Sequence, residues 1–175
     1  MKIVITGTYC SGKTTLCYDL IQAIPNCKLL LEEAREISDL IPPDGWSLPA
    51  IREYLLVRQI LNEKRNEKDD KLLICDNGVH GNLAHDSLLT KEVNNILLLD
   101  QLDHINYDLV FFCDHHEVAI EQDGVRLVDP FLRERAAEEI LKFIELLGSK
   151  PIILFGDREQ RVRAVLRHLP FNMTN

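Results

Sequence analysis

The sequence predicts a three-layer α/β fold, in which helices cover both faces of a parallel sheet of five strands. Five short apolar segments recur along the chain, and helical patterns lie between them. Alternating strands and helices indicate βαβ units, and strands that are apolar along their whole length are typical of a sheet buried on both faces. The predicted strands are Lys2–Thr6, Lys28–Leu31, Lys71–Cys75, Leu109–Cys113 and Pro151–Phe155.

A glycine-bearing loop follows the first predicted strand and reads Gly7-Thr8-Tyr9-Cys10-Ser11-Gly12-Lys13-Thr14-Thr15. It fits the Walker A pattern G-x-x-x-x-G-K-[ST] without a mismatch, and a helical stripe formed by Leu16, Leu20 and Ile24 comes next. Strand, glycine loop and helix are the context in which this pattern binds phosphates. The glycines let successive N–H groups point at an anion, and the helix adds the positive end of its dipole.

The chemistry of this loop predicts ATP and Mg²⁺ as cofactors. Lys13 supplies a cation for the β- and γ-phosphates, and Thr14 supplies a hydroxyl ligand for the metal. Because backbone N–H groups do most of the binding, nearly the whole loop is predicted to contact the nucleotide. The predicted nucleotide-binding residues are Gly7, Thr8, Cys10, Ser11, Gly12, Lys13, Thr14 and Thr15.

The third predicted strand delivers a carboxylate, Asp76, that completes the predicted metal site with Thr14. An acidic residue at the end of an apolar strand beside the phosphate loop holds Mg²⁺ or its water shell. Asp114, after the fourth strand, is a rival for the same role. We favour Asp76 because the third strand lies beside the first in the common orders of such sheets. The alternative for Asp76 is a turn-forming aspartate.

A dense charged stretch, Glu33-Ala34-Arg35-Glu36, follows the second predicted strand. Ligands of open α/β sheets bind outside the carboxyl ends of the strands, which predicts that Glu33 and Arg35 contact a substrate. A solvated helix start with ion pairs three residues apart is the alternative.

A second charged stretch contains three arginines within ten residues, Arg126, Arg133 and Arg135. The planar fork of arginine suits phosphate oxygens, which indicates a role around the transferred group. Ion pairing with the neighbouring glutamates of the predicted helix is the alternative. The adjacent His115 and His116 are interpreted as loop residues and not as a metal site, because two neighbouring histidines cannot face one metal from a regular helix or strand.

Composition limits the class of protein. The chain has 175 residues, enough for one domain spanning 1–175, and its net charge of −8 argues against a nucleic-acid partner. No apolar run approaches the ~20 residues of a membrane span. The five cysteines are odd in number and form no C-x-x-C pair. Reduced thiols and the lack of a signal-peptide pattern together predict a cytoplasmic protein.

The residues resemble, in order along the chain, the ribosylnicotinamide-kinase domain of NadR-type proteins. The resemblance lies in the phosphate loop, the charged stretch at 33–36, Asp76, and the segment that contains Asp123-Gly124-Val125-Arg126 and Arg133-Glu134-Arg135. That domain belongs to the nucleoside and nucleotide kinases with an AAA-type, ATPase-like P-loop domain. The resemblance implies the sheet order 2-3-1-4-5, an arginine-bearing lid at about 115–135, and an acceptor site near the charged stretch at 33–36.

The resemblance also implies γ-phosphoryl transfer from ATP to a nucleoside or nucleoside monophosphate, with nicotinamide riboside among the options. A carboxylate, Asp76 or Glu33, would orient the acceptor hydroxyl. The implied catalytic residues are Lys13, Asp76, Glu33, Arg126 and Arg133. The implied acceptor-binding residues are Glu33, Arg35, Arg126 and Arg135.

Another class of function stays open, a P-loop ATPase or nucleotide-dependent interaction module without a small acceptor. Such proteins usually have a helical lid domain and a second acidic residue beside the strand-end aspartate, where this chain has Asn77. The chain has no Asn-Lys-x-Asp pattern for reading guanine. A homodimer is our hypothesis for the oligomeric state, which no residue pattern addresses.

Overall fold

The computed structural model describes residues 1–42, 45–68, 71–90, 105–119 and 129–170. The strands are β1 Lys2–Thr6, β2 Cys27–Leu30, β3 Leu72–Asp76, β4 Leu109–Cys113 and β5 Pro151–Leu154. The α-helices are α1 Lys13–Ala23, α2 Glu33–Glu36, α3 Pro49–Asn66, α4 Gly78–Thr90, α5 Pro130–Leu146 and α6 Arg158–His168. Two 3₁₀ turns, Ser38–Leu40 and Gly45–Ser47, lie between α2 and α3.

The sheet has the order β2-β3-β1-β4-β5, and every neighbouring pair is parallel. This confirms the predicted parallel sheet and the order 2-3-1-4-5. In the register, Ile5 of β1 pairs with Asp76 of β3, and Thr6 pairs with Phe112 of β4. The loop after β1 therefore leaves the sheet between the carboxyl ends of β3 and β4, where open α/β sheets bind ligands.

Apolar residues of β1 divide between two cores, one on each face of the sheet. Val4 packs in the core that includes α3, α4 and α5, whereas Ile3 and Ile5 pack in the core that includes α1 and α6. All three side chains have 0 % exposure. Because neighbouring strand residues point to opposite faces, a run of apolar residues is what a strand covered on both sides requires. The three-layer arrangement is confirmed.

Helix α4 is not among the elements that the sequence predicts. Asp76-Asn77-Gly78 indicates a turn, and the next helical pattern runs from Thr90 to Ile105. In the structure, Asn77 and Gly78 adopt φ values of 69° and 61°, and the helix starts at once. Its first turns have little helix propensity, but Val79 and Leu83 are buried in the core. Tertiary packing outweighs local propensity here. Of the expected helix at 90–105, residues 91–104 lie outside the described part of the chain.

The predicted lid at about 115–135 falls partly outside the described residues, which omit 120–128 and with them Arg126. Its last six residues form the start of α5, where the Asp129 side chain accepts a hydrogen bond from the backbone N–H of Phe131 and Pro130 follows the cap. Aspartate at the N-cap with proline next is a strong helix start. Within the described residues, none of the helices is both long and apolar enough to cross a membrane.

Candidate functional site

The loop between β1 and α1 has the backbone of an anion-binding loop. Three of its residues have positive φ: Gly7 at 144°, Cys10 at 55° and Gly12 at 85°. Gly7 also lies against the end of β4, because a Cβ placed on it would be 2.8 Å from the carbonyl oxygen of Cys113. Only glycine combines this φ with so close an approach of two backbones. Helix α1 begins at Lys13, so its N-terminus faces the loop.

Lys13, Thr14 and Asp76 meet at the start of α1. Lys13 is 7 % exposed, and its ammonium donates a hydrogen bond to the carbonyl oxygen of Thr8 at 2.9 Å. The Thr14 hydroxyl donates to Oδ2 of Asp76 at 2.7 Å. The predicted hydroxyl and carboxylate are therefore in direct contact.

Asp76 is fully buried, with 0 % exposure. Burial raises the pKa of its carboxyl above the ordinary value, although the Lys13 charge and the Thr14 hydrogen bond act in the opposite direction. Its Oδ1 atom has no hydrogen-bond partner among the described residues, and neither have the buried hydroxyls of Thr8 and Ser11. The unpartnered Oδ1 of Asp76, on the carboxylate that contacts the Thr14 hydroxyl, fits a hard cation and its water shell.

The rival carboxylate, Asp114, makes different contacts. Its Oδ1 accepts the backbone N–H of His116 at 3.0 Å, and its Oδ2 lies 2.9 Å from Nδ1 of the same histidine. Both β3 and β4 flank β1, so strand order alone does not separate the two aspartates. The contact with Thr14 belongs to Asp76.

His115 and His116 lie in the loop after β4, as the sequence indicated. Their rings stack with centroids 4.4 Å apart, and Glu134 lies 3.0 Å from Nε2 of His115. Donor atoms of Asp114, His115 and His116 lie within 4.8 Å of one another. An irregular loop thus brings adjacent histidines together in a way that a helix or strand does not allow.

Two buried arginines contact the outer side of the phosphate loop. Arg133 of α5 is 5 % exposed and donates to the carbonyl oxygens of Cys10 and Val118, each at 3.0 Å. Arg161 of α6 is 4 % exposed and donates to the carbonyl oxygen of Ser11 at 2.6 Å. Sequence reasoning found Arg133 but not Arg161. A sequence pattern could have identified Arg161. It precedes Val165 and Leu169 at intervals of four, which places an arginine on the buried face of an amphipathic helix.

On the acceptor side, Glu33 is 1 % exposed and faces α3. Its Oε2 accepts Nε of Arg58 at 2.7 Å, and its Oε1 accepts the side-chain amide of Asn62. Arg58 also reaches Glu36, with 3.3 Å between NH2 and Oε2. These contacts join the charged stretch after β2 to the long helix α3.

The neighbouring Glu32 is the carboxylate that faces the sheet edge at Asp76. It is 7 % exposed, and its Oε1 accepts the side-chain amide of Asn77 at 2.9 Å. Its charge also contributes to the raised pKa of Asp76. Sequence reasoning placed the site at Glu33 and missed Glu32, although Glu32 stands closer to the end of β2.

Of the remaining predicted site residues, one contacts the site and two are exposed. Arg35 is 44 % exposed at its side chain, with Nε 3.7 Å from Oε2 of Glu32, and its charge lowers the pKa of Asp76. Arg135 and Thr15 are exposed. Arg135 lies only two positions from Arg133, yet the helix directs the two side chains differently. Arg126 lies outside the described residues.

A family model described as an AAA domain matches residues 2–161. No curated protein matches the sequence. Among solved structures, a NadR protein in complex with NR has a TM-score of 0.74 at 17% identity, covering 95% of this chain and 51% of that chain. The present chain thus spans about half the length of the NadR structure.

Two further solved structures are similar over nearly their whole length. Deoxyadenosine kinase from M. mycoides with bound dATP has a TM-score of 0.68 at 13% identity, covering 95% of this chain and 98% of that chain. Thymidylate kinase from Ehrlichia chaffeensis has a TM-score of 0.64 at 17% identity, with 95% and 96% covered. At these identities the likeness establishes the fold, and the predicted resemblance to NadR-type and other P-loop kinases is confirmed.

Proposed function

The chain belongs to the family described as an AAA domain, and on that premise we propose that it is an ATP-dependent kinase that phosphorylates a hydroxyl of a small acceptor. The observation that carries the proposal is the contact between Thr14 and Asp76 at 2.7 Å beside the buried Lys13. A cation, a hydroxyl and a carboxylate at the start of a helix are the groups that phosphoryl transfer from a nucleotide requires.

In this proposal the phosphates of ATP bind the backbone N–H groups of Gly7–Thr15 and the ammonium of Lys13. Thr14 and Asp76 would hold Mg²⁺, for which the unpartnered Oδ1 of Asp76 leaves an acceptor available. The metal would neutralise charge on the phosphates. Arg133 keeps a positive charge on the loop through its contact with the Cys10 carbonyl oxygen. Most of the catalysis is then positioning and electrostatics.

The charges of the stretch after β2, together with Arg58 of α3, favour a nucleoside over a nucleoside monophosphate as the acceptor. Three carboxylates and two guanidiniums form this cluster, Glu32, Glu33, Glu36, Arg35 and Arg58. The net charge of these five groups is −1, and both guanidiniums already face carboxylates. An acceptor phosphate would need an uncompensated cation, and this cluster offers none among the described residues, whereas a neutral or cationic nucleoside needs none.

Glu32 is the residue that we propose orients the acceptor hydroxyl, in place of Glu33. Both oxygens of Glu33 accept hydrogen bonds from α3, which ties that carboxylate to the fold. Glu32 stands beside Asn77 at the carboxyl edge of the sheet. A carboxylate that accepts the hydroxyl proton as the phosphoryl group arrives acts as a weak general base. Arg35, Arg126 and Arg135 are proposed to contact the acceptor or the transferred phosphoryl group.

The test is ATP consumption measured against a panel of nucleosides and nucleoside monophosphates, with a no-acceptor control. Lys13→Ala should abolish transfer in a folded protein, and Lys150→Ala, at an exposed lysine, should leave it unchanged. Glu32→Gln should reduce transfer to the best acceptor more than Glu33→Gln does. Unchanged turnover in folded Lys13→Ala protein would refute the proposal.

An ATPase module without a small acceptor is the second proposal, and the AAA-domain description favours it. Asn77 stands where such ATPases usually have a second acidic residue. The same assay separates the two functions: if no acceptor stimulates turnover and hydrolysis is indifferent to Glu32 and Arg35, the ATPase module is correct. None of the five cysteines, all of which the structure describes, forms a disulfide, and we propose that the protein works in the cytoplasm.

A further inference from the structure

Arg161 joins three segments at the carboxyl edge of the sheet. Its NH1 donates to the carbonyl oxygen of Ser11 in the phosphate loop at 2.6 Å, and its NH2 donates to that of Asp114 after β4 at 2.7 Å. Its Nε donates to the carbonyl oxygen of Gly156 in the turn after β5 at 2.9 Å. One side chain therefore fixes the distances between the loop and the ends of two strands.

Among the residues that the structure describes, the positive charge of the Arg161 guanidinium is compensated by backbone carbonyl oxygens and not by a carboxylate. The side chain is 4 % exposed, and within the described residues no carboxylate oxygen lies within 4.0 Å of its nitrogens, so backbone carbonyl oxygens are its partners. A buried charge is costly unless an opposite charge or several hydrogen bonds compensate it. NH1 would lie 3.6 Å from a Cβ placed on Gly12, so the charge sits directly behind the loop. An anion held by the loop would supply the missing counter-charge.

The hydrogen bond to Ser11 also determines which way the next N–H group points. A peptide unit is planar and trans, so its C=O and N–H point in opposite directions. When Arg161 holds the Ser11 carbonyl on the outer side of the loop, the N–H of Gly12 is directed to the inner side. Arg133 does the same for the carbonyl of Cys10 and the N–H of Ser11. Two consecutive N–H groups are thus oriented by arginines from two different helices.

We propose that Arg161 is a positioning residue for triphosphate binding, which holds the phosphate loop in its anion-binding shape and places a buried positive charge behind it. This inference rests on the proposed nucleotide binding. It goes beyond it by assigning part of the affinity to a residue about 150 positions away from the loop, outside the Walker A pattern. Its role acts through the backbone of Ser11 and not through direct contact with the nucleotide.

The test compares Arg161→Met, Arg161→Lys and Arg163→Met in the full chain. Arg163 is a matched control, because it lies on the same helix, is exposed, and pairs with Glu159 at 3.2 Å. Binding of a non-hydrolysable ATP analogue with Mg²⁺ is measured by calorimetry. Loss of a charge-assisted hydrogen bond weakens binding by about tenfold or more, which is expected for Arg161→Met. Arg161→Lys keeps the charge and should be intermediate, and Arg163→Met should bind within about twofold of the wild type.

Hydrogen exchange of the backbone amides at residues 8–14 gives a second readout that needs no ligand. Arg161→Met should exchange faster there and not in the core strands. Folded Arg161→Met protein that binds the analogue as the wild type does would overturn the proposal, even if its melting temperature falls. If Arg161→Met does not fold, wild-type affinity and exchange in Arg161→Lys would overturn it equally. A wild-type chain that does not bind the analogue would instead refute nucleotide binding itself.

Discussion

Replacing Asp76 by Asn removes one negative charge from a side chain with 0 % exposure and keeps its shape. The Thr14 hydroxyl can still donate to the amide oxygen, so the local hydrogen bond at 2.7 Å survives. What is lost is the anionic ligand of the proposed metal site. The expected result is a protein that folds and needs more Mg²⁺ for the proposed phosphoryl transfer.

The size of this effect follows from the contact that is lost. A hydrogen bond or ligand interaction of a charged group contributes about 1.5–3 kcal/mol. At about 1.36 kcal/mol for each factor of ten, that corresponds to a roughly 10- to 150-fold rise in the Mg²⁺ concentration for half-maximal activity. Binding of ATP without metal should change much less, because the phosphates contact the loop and Lys13.

The free energy of unfolding of Asp76→Asn without Mg²⁺ should not fall, although its function is impaired. Burial raises the pKa of Asp76 despite the Lys13 charge and the Thr14 hydrogen bond. The folded protein therefore binds a proton more tightly than the unfolded chain, and stability falls as pH rises from the unfolded pKa through the folded one. At neutral pH the ionised carboxylate destabilises the metal-free protein. Asp76→Asn, which has no such charge, is expected to be no less stable than the wild type without Mg²⁺.

Asp114→Asn is the matched control, because the pKa shift there has the other sign. Burial alone would raise the pKa of Asp114, but the hydrogen bonds from His116 and the histidine charges outweigh it, and the pKa is lowered. Its ionised form stabilises the fold above the unfolded pKa, and this stability is lost as pH falls through the folded one. Asp114→Asn should therefore lose stability at pH 7 and keep its Mg²⁺ requirement.

The assay combines urea unfolding, with and without Mg²⁺, and Mg²⁺ titration of ATP turnover. Two results would refute the reasoning. If Asp114→Asn raises the Mg²⁺ requirement and Asp76→Asn does not, the metal site belongs to the fourth strand. If Asp76→Asn is clearly less stable than the wild type without metal, the Asp76 carboxylate stabilises the fold, and its burial is not a cost accepted for metal binding.

Three further measurements have definite expected results. Glu63→Gln should cost only about 1 kcal/mol in urea unfolding at neutral pH, because the Lys2 ammonium keeps Glu67 as a partner and burial, which raises the pKa of Glu63, makes that carboxylate costly to ionise; a loss above about 3 kcal/mol would contradict this. Gly7→Ala should abolish binding of the ATP analogue while the sheet persists by circular dichroism, since its Cβ would be 2.8 Å from a backbone oxygen of β4; retained binding would be the contrary result. The pKa of His116, raised chiefly by its hydrogen bond with Asp114, should return towards 6.5 in Asp114→Asn by NMR titration, and no change would contradict that contact.

The sequence by itself determined the sheet, the phosphate loop and the identity of its key cation. Strands that are buried on both faces must be apolar at every position, which makes them visible without neighbours, as Ile3, Val4 and Ile5 show. The loop is equally local, because Gly7 and Gly12 are required by the backbone itself. The starts of α5 and α6 are local as well, because the side chains of Asp129 and Asp157 accept hydrogen bonds from backbone N–H groups in the first turn of each helix.

Helix α4 shows where local information ended. Its first residues favour a turn, and the helix forms because Val79, Leu83 and Ala84 are buried against the sheet and its neighbouring helices. Only the folded chain supplies that burial. The sequence therefore predicted a turn at the very residues where the structure continues into a helix.

The contacts of the site were decided by the tertiary structure. Glu32 and Glu33 are adjacent and chemically alike, but the turn into α2 directs one to Asn77 and the other to α3. The same holds for Arg161, which meets Ser11 across 150 positions of chain. The type of a residue determines what its side chain can bind. The direction of that side chain depends on packing between elements that are distant in sequence, so it is determined only when the sheet edge is assembled.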